Sequence, residues 1–236
     1  MKRLLFPAAL AALALAGSTL GYCQSTKDKT AVDNKLTKAA QIIDEMTGPN
    51  ATAGVPRKVL EDAQCIAVIP DLLQAGFVVG AHHGKGVATC RSAGNHWSPP
   101  APFSLTGGSF GAQIGGEDIS LIMMVMNHDG MQALESGHFK VGAGVSAAAG
   151  PVGRDANAAA GYKAAILTYS RSKGAYVGAT VQGAELQQDK GETKALYGQE
   201  IPFANILNGQ VKAPENADVR DFLRTIQHAE ASAHAQ

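Results

Sequence analysis

The sequence predicts an α+β fold: a strongly curved, glycine-rich, mainly antiparallel β-sheet or barrel flanked by N- and C-terminal helices. Three observations predict it. Apolar residues recur at helical spacing near both ends of the chain. Between about residues 64 and 185 the apolar period is mostly two, punctuated by turn residues. The 27 glycines concentrate in these strands, where glycine marks bulges, sharp bends or close backbone approach.

The N-terminus sets the expected compartment. Lys2 and Arg3 precede an uncharged, Ala- and Leu-rich run from Leu4 to Ala16, followed by small or neutral residues. That order is a secretory signal. The run is short of the ~20 residues needed to span a bilayer, which disfavours an uncleaved anchor. Leu20-Gly21-Tyr22-Cys23 approximates a lipobox, with Leu20 and Gly21 fitting and Tyr22 not. Acylation of Cys23 and ordinary cleavage near Gly21–Gln24 both stay open. The expected division is signal peptide 1–23, polar tether 24–32, one domain 33–228 and a flexible tail 229–236. The expected location is exported, either periplasmic or outer-membrane-associated.

Charge and cysteines narrow the partners. The precursor carries 20 basic and 20 acidic side chains, and losing Lys2 and Arg3 with the leader takes the net charge to −2. Such a chain has no large field to attract nucleic acid or an anionic membrane, so only a local basic patch could do that. Export makes a Cys65–Cys90 disulfide an open alternative to two buried thiols. The bond would close a loop of about 25 residues and add ~3 kcal/mol.

The elements follow in order. Leu36, Ala39, Ala40, Ile43 and Met46 share one helical face after Asp33, and Gly48-Pro49 stops the run. That face either packs on its own domain or lies on lipid. A second helix spans Arg57 to Ala63. Residues 64–70 read as a buried strand closed by Pro70. Further strands are expected at Gly76–Ala81, Gly86–Arg91, Ser109–Ile114, Ile119–Met126, Lys140–Ser146, Ala164–Arg171 and Ala175–Gln182. Residues 119–126 are uniformly apolar, so both faces of that strand should be buried. Short helices are expected at 127–136 and 202–208. Val219, Phe222, Leu223 and Ile226 predict a terminal helix to about His228.

No motif carries clear chemistry. Residues 107–111, GGSFG, match a nucleophile elbow with Ser109 at its centre, but glycines and a further strand follow where the elbow needs a helix. His82, His83 and His96, with Cys65 and Cys90, match no metal-ligand spacing, and adjacent His82 and His83 would point to opposite strand faces. Neither 80–86 nor 142–150 has the spacing of a phosphate-binding loop. Asn50-Ala51-Thr52 is a glycosylation sequon only on a eukaryotic secretory route. No catalytic residue, cofactor or metal is expected.

Several segments together carry a family likeness: VPRKVLEDAQCIAVIP (55–70), AGFVVGAHHGKGVATCR (75–91), WSPPAPF (97–103), LTGGSFGAQIGGE (105–117), LIMMVMN (121–127), SGHFKVGAGVSAAAGPVGR (136–154), YSRSKGAYVGATVQGAEL (169–186) and ALYG (195–198). In this order and spacing they resemble the SYLF domain family, whose eukaryotic members bind phosphoinositide lipids and actin. The GAHHG segment departs from the commoner basic or aromatic pair. The resemblance covers about Leu36 to Ile226 and implies a lipid-contacting helix, by position Asn34–Met46 followed by Arg57 and Lys58. Lys35, Lys38, Arg57 and Lys58 would then meet lipid phosphates at ~1 kcal/mol each, offset by Asp44, Glu45, Glu61 and Asp62. The implied function is non-enzymatic binding of anionic, phosphoinositide-type lipid by an exported envelope protein. The alternative is a structural or protein-interaction module of the envelope, and actin enters by family analogy alone.

Overall fold

The computed structural model describes residues 13–47, 54–76, 79–92, 94, 96–110, 117–143, 145–151, 164–172, 175–178 and 183–234. The described helices are α1 Leu13–Thr47, α2 Arg57–Asp62, α3 His128–Glu135, α4 Lys190–Tyr197, α5 Phe203–Leu207 and α6 Ala217–His234. The strands are β1 Cys65–Gly76, β2 Val79–Ser92, β3 His96–Trp97, β4 Ala101–Phe110, β5 Glu117–Val125, β6 His138–Lys140, β7 Ala147–Ala149, β8 Ile166–Ser172, β9 Ala175–Gly178 and β10 Glu185–Gln188. The sheet runs β6-β10-β4-β2-β1-β5-β8-β7, with β3 beside β2 and β9 beside β8. Every strand pair is antiparallel except β7 with β8. The sheet curls into a half-barrel flanked by the terminal helices, as the glycine-rich strands predict.

Both faces of the central strands are covered. Ile66, Val68, Ile122 and Met124 pack into one core with α1, α2 and α6. Their neighbours Cys65, Ala67, Leu121, Met123 and Val125 enter a second core with Phe103, Leu105 and α5. A strand buried on both sides gains nothing from polar alternation, which is why residues 121–125 of β5 read as an unbroken apolar run. Close packing also explains Gly86: a Cβ there would lie 2.4 Å from the Val68 carbonyl oxygen and 2.7 Å from the Phe103 ring.

Several boundaries differ from expectation. Pro70 does not close β1. The register passes from Val68↔Val87 to Asp71↔Lys85, so Pro70 sits in a bulge and the strand continues to Gly76. A bulge tolerates proline because the extra residue makes no ladder bond. Gly76–Ala81 is consequently no separate strand but the end of β1 and the start of β2. Of the expected strand Lys140–Ser146, Lys140 ends β6 and Val141 and Val145 form only an isolated bridge, with Gly142 at φ 83° and its N–H donating to the Val145 carbonyl. Strands β3, β6, β7 and β10 and helix α4 are additions, as is most of β4, which meets the expected strand Ser109–Ile114 only at its end. One proline and two adjacent glycines within β4 mask its period.

The ends are more ordered than polarity suggests. Residues 24–32, expected as a tether, lie within α1, and Val32 is fully buried. The expected tail from Ala229 belongs to α6, where Ala229, Glu230 and Ala233 are buried. Residues 1–12, the sequon at 50–52 and the strand ends at 111–114 and 179–182 lie outside the described residues.

Candidate docking site between helix α1 and the β1–β2 hairpin

The bulge at Pro70 builds the site. Before it, Ile66 and Val68 face the helical core. After it the phase inverts: Leu72 is buried in the second core, and Asp71 and Leu73 turn towards α1. Across the hairpin, Asp71 pairs with Lys85 and Leu73 with His83. Helix α1 passes over this face and closes a cleft of about 270 Å³ lined by Asn34, Lys35, Lys38, Asp71, Leu73, His83 and Lys85. Leu73 is 58% exposed, the one large apolar side chain so exposed among the described residues.

The charges of the cleft are interlocked. Lys35 is ion-paired to Glu192 of α4, and both side chains are nearly buried. Lys85 meets Asp189 at 2.7 Å and Glu192 at 3.2 Å. Lys38 meets Asp71 at 2.7 Å, both about half exposed. Burial pushes the Lys35 ammonium below its ordinary pKa, and Glu192 offsets that only in part. Burial acts the same way on Lys85, but Asp189 and Glu192 outweigh it and hold Lys85 above its ordinary value. Burial works to raise the Asp189 carboxyl, yet the backbone N–H of Glu192 and the Lys85 ammonium together hold it lower. His83 Nδ1 shares a 2.8 Å hydrogen bond with Thr106 Oγ1. The three lysines thus face three carboxylates, and these six paired groups carry no net formal charge.

The structure brings together two of the four residues assigned to lipid and separates the others. Lys35 and Lys38 line the cleft, although Lys35 is spent on Glu192. Arg57 and Lys58 lie on α2 and do not line it; Lys58 pairs with Asp62 at 2.6 Å. The apolar face of α1 is unavailable, because Val32, Leu36, Ala39, Ile42, Ile43 and Met46 are all in the core. Of the two sequence readings of that helix, the packed one describes this structure. Cys65 and Cys90 stand opposite each other in the register and are joined by a disulfide. Cys23 falls on α1, with its side chain outside the described residues.

The other motifs do not converge. Ser109 lies near the end of β4, paired with Gly80, and the next described element is strand β5. His82 is buried while His83 and His96 are exposed, and the described residues contain no metal-ligand cluster. A larger groove of about 1060 Å³ lies among Ser104, His138, Gln187, Glu200 and Phe203, and no residue assigned to lipid from the sequence lines it. Sequence reading missed Asp71, Leu73 and Lys85. The signal that locates them is the alternation resuming after Pro70, visible only once that proline is placed in a bulge.

A family model for Ysc84, described as Las17-binding protein actin regulator, matches residues 106–229. The chain belongs to the Ysc84 family. It is similar to Protein YSC84 of Saccharomyces cerevisiae, 32% identical over 190 residues, which cover 77% of this chain and 40% of that protein. LAS seventeen-binding protein 3 of the same yeast is also 32% identical over 190 residues, covering 77% and 41%. SH3 domain-containing YSC84-like protein 1 of Homo sapiens is 31% identical over 191 residues, covering 77% and 55%. The chain thus spans about two fifths to just over half the length of these relatives. No solved structure matches it. The Ysc84 match agrees with the SYLF resemblance carried by the segments from 55 to 198. The names of these relatives describe binding or domain content, which is consistent with a non-enzymatic interaction domain.

Proposed function

We propose that this Ysc84-family chain is an exported, non-enzymatic docking domain that seats the Leu73 face of its paired strands β1 and β2 on an anionic lipid surface. One observation carries the reading: exposed Leu73 stands in the same cleft as the half-exposed Lys38 and Lys85. An apolar anchor beside snorkelling lysines is what a headgroup boundary rewards. The contacting element is the hairpin rather than the apolar face of α1. Because carboxylates balance the lysines, insertion of Leu73 contributes more than net charge does. The N-terminal signal pattern and the Cys65–Cys90 disulfide support an oxidising, extracytoplasmic location.

Co-sedimentation with phosphatidylglycerol/phosphatidylcholine vesicles tests the reading. Leu73→Asp should weaken binding about tenfold, the equivalent of about 1–2 kcal/mol for seating half a leucine. Unchanged binding would remove the hairpin from the contact. Recovery of full-length, uncleaved chain in the cytosol would remove the export.

A second reading has its own support. LAS seventeen-binding protein 3 of yeast is named for a protein that it binds, and the same cleft would then seat a protein partner of the envelope. Indifference to vesicles, together with loss of a cross-linked protein partner on Leu73→Asp, would select it.

A further inference from the structure

We infer that Asp71 is a built-in competitor for the lipid phosphate, so that the cleft discriminates by anionic charge density. The inference rests on the lipid reading of the hairpin and adds its selectivity. Asp71 occupies a particular place. The bulge turns it to the same side as Leu73, two residues along the strand from that anchor. Its carboxylate holds Lys38 Nζ at 2.7 Å, and its register partner across the hairpin is Lys85. Asp71 therefore stands between the two half-exposed lysines of the site.

The other carboxylates cannot take this role. Glu192 and Asp189 are largely buried on α4 and its N-cap, where they hold Lys35 and Lys85 to the fold. The Lys38–Asp71 pair is exposed, and exposed pairs are weak enough for a third charge to displace. A phosphate arriving with Leu73 in the interface must take Lys38 from Asp71. A zwitterionic surface offers no excess anion for that exchange, whereas a crowded anionic one does. Removing the carboxylate takes the local balance of Lys35, Lys38 and Lys85 against Asp71, Asp189 and Glu192 from zero to +1.

Asp71→Asn in the mature chain tests this, with the same vesicles at several fractions of phosphatidylglycerol. Binding to anionic vesicles should rise about fivefold, and the anionic fraction needed for half-maximal binding should fall. Asp71→Glu, which keeps the charge, should behave as the parent, and thermal unfolding of each variant controls for folding. Asp71→Asn without gain, while Leu73→Asp still loses binding, would overturn the competitor and leave the lipid reading standing. Loss of effect in both variants would overturn the lipid reading itself. An equal gain on pure phosphatidylcholine would show that Asp71 does not read charge.

Discussion

Glu192 holds two lysines from two different elements. Its side chain is nearly buried, with Lys35 of α1 on one oxygen and Lys85 of β2 on the other. Removing such a partner leaves a charge in a poorly solvated place, which costs far more than an exposed pair is worth. Glu192→Gln should therefore destabilise the fold by about 3 kcal/mol, read from urea unfolding. The double variant Lys35→Met/Glu192→Leu, which removes the buried charges together, should recover most of that loss. A single-variant cost within about 0.5 kcal/mol, the ordinary surface value, would show that the pair is not desolvated. Helical periodicity places Lys35 on the polar side of α1, which is correct. It has no means of knowing that α4, more than 150 residues later, arrives on that side with a carboxylate.

At the scale of elements, α2, β2, β3 and α6 are tied through one residue group. Arg91 of β2 pairs with Glu230 of α6 and lies over the Trp97 ring at 4.7 Å. Its guanidinium also donates to the carbonyls of Leu60, Glu61 and Ala63 at the end of α2. Trp97 Nε1 donates to the second Glu230 oxygen at 2.8 Å. This latch explains why α6 continues past His228, where the sequence period fades. Glu230→Ala should cost about 2–3 kcal/mol. Hydrogen exchange should accelerate first in the last turns of α6, around Ala229–His234. Uniform acceleration across the sheet, or none at all, would argue against a local latch. Most helices and central strands are legible from period alone. Strand β4 is not, because a proline and two adjacent glycines in ten residues resemble a loop.

At the scale of the molecule, the half-barrel is pinned at its centre. Cys65 and Cys90 join the two central strands, and both are fully buried. Cys65→Ser/Cys90→Ser should lower stability by about 3 kcal/mol, a fall of about 10 °C in Tm. Because both sulfurs are buried, native-state reductant should act only as fast as the chain opens. A variant with unchanged Tm would show that the bond adds nothing to the folded architecture. The two cores meet across a sheet whose strands are buried on both faces, so the fold depends on pairings distant in sequence. Such pairings have a period-two signature but no local marker of partner or order.

Local chemistry was enough for the two flanking helices, the glycine-bent sheet, the doubly buried β5 and the family likeness, because each depends on neighbours within a few residues. It was also enough to bring Lys35 and Lys38 forward. Which side of α1 meets solvent, which lysines are already paired and where an apolar side chain is left over depend on packing between distant segments. Only the folded chain shows that a proline bulge rotates Asp71 and Leu73 into one cleft with α1. The reason is phase: one extra residue in a strand inverts every side chain beyond it, and nothing in the residues themselves announces where the ladder will absorb it.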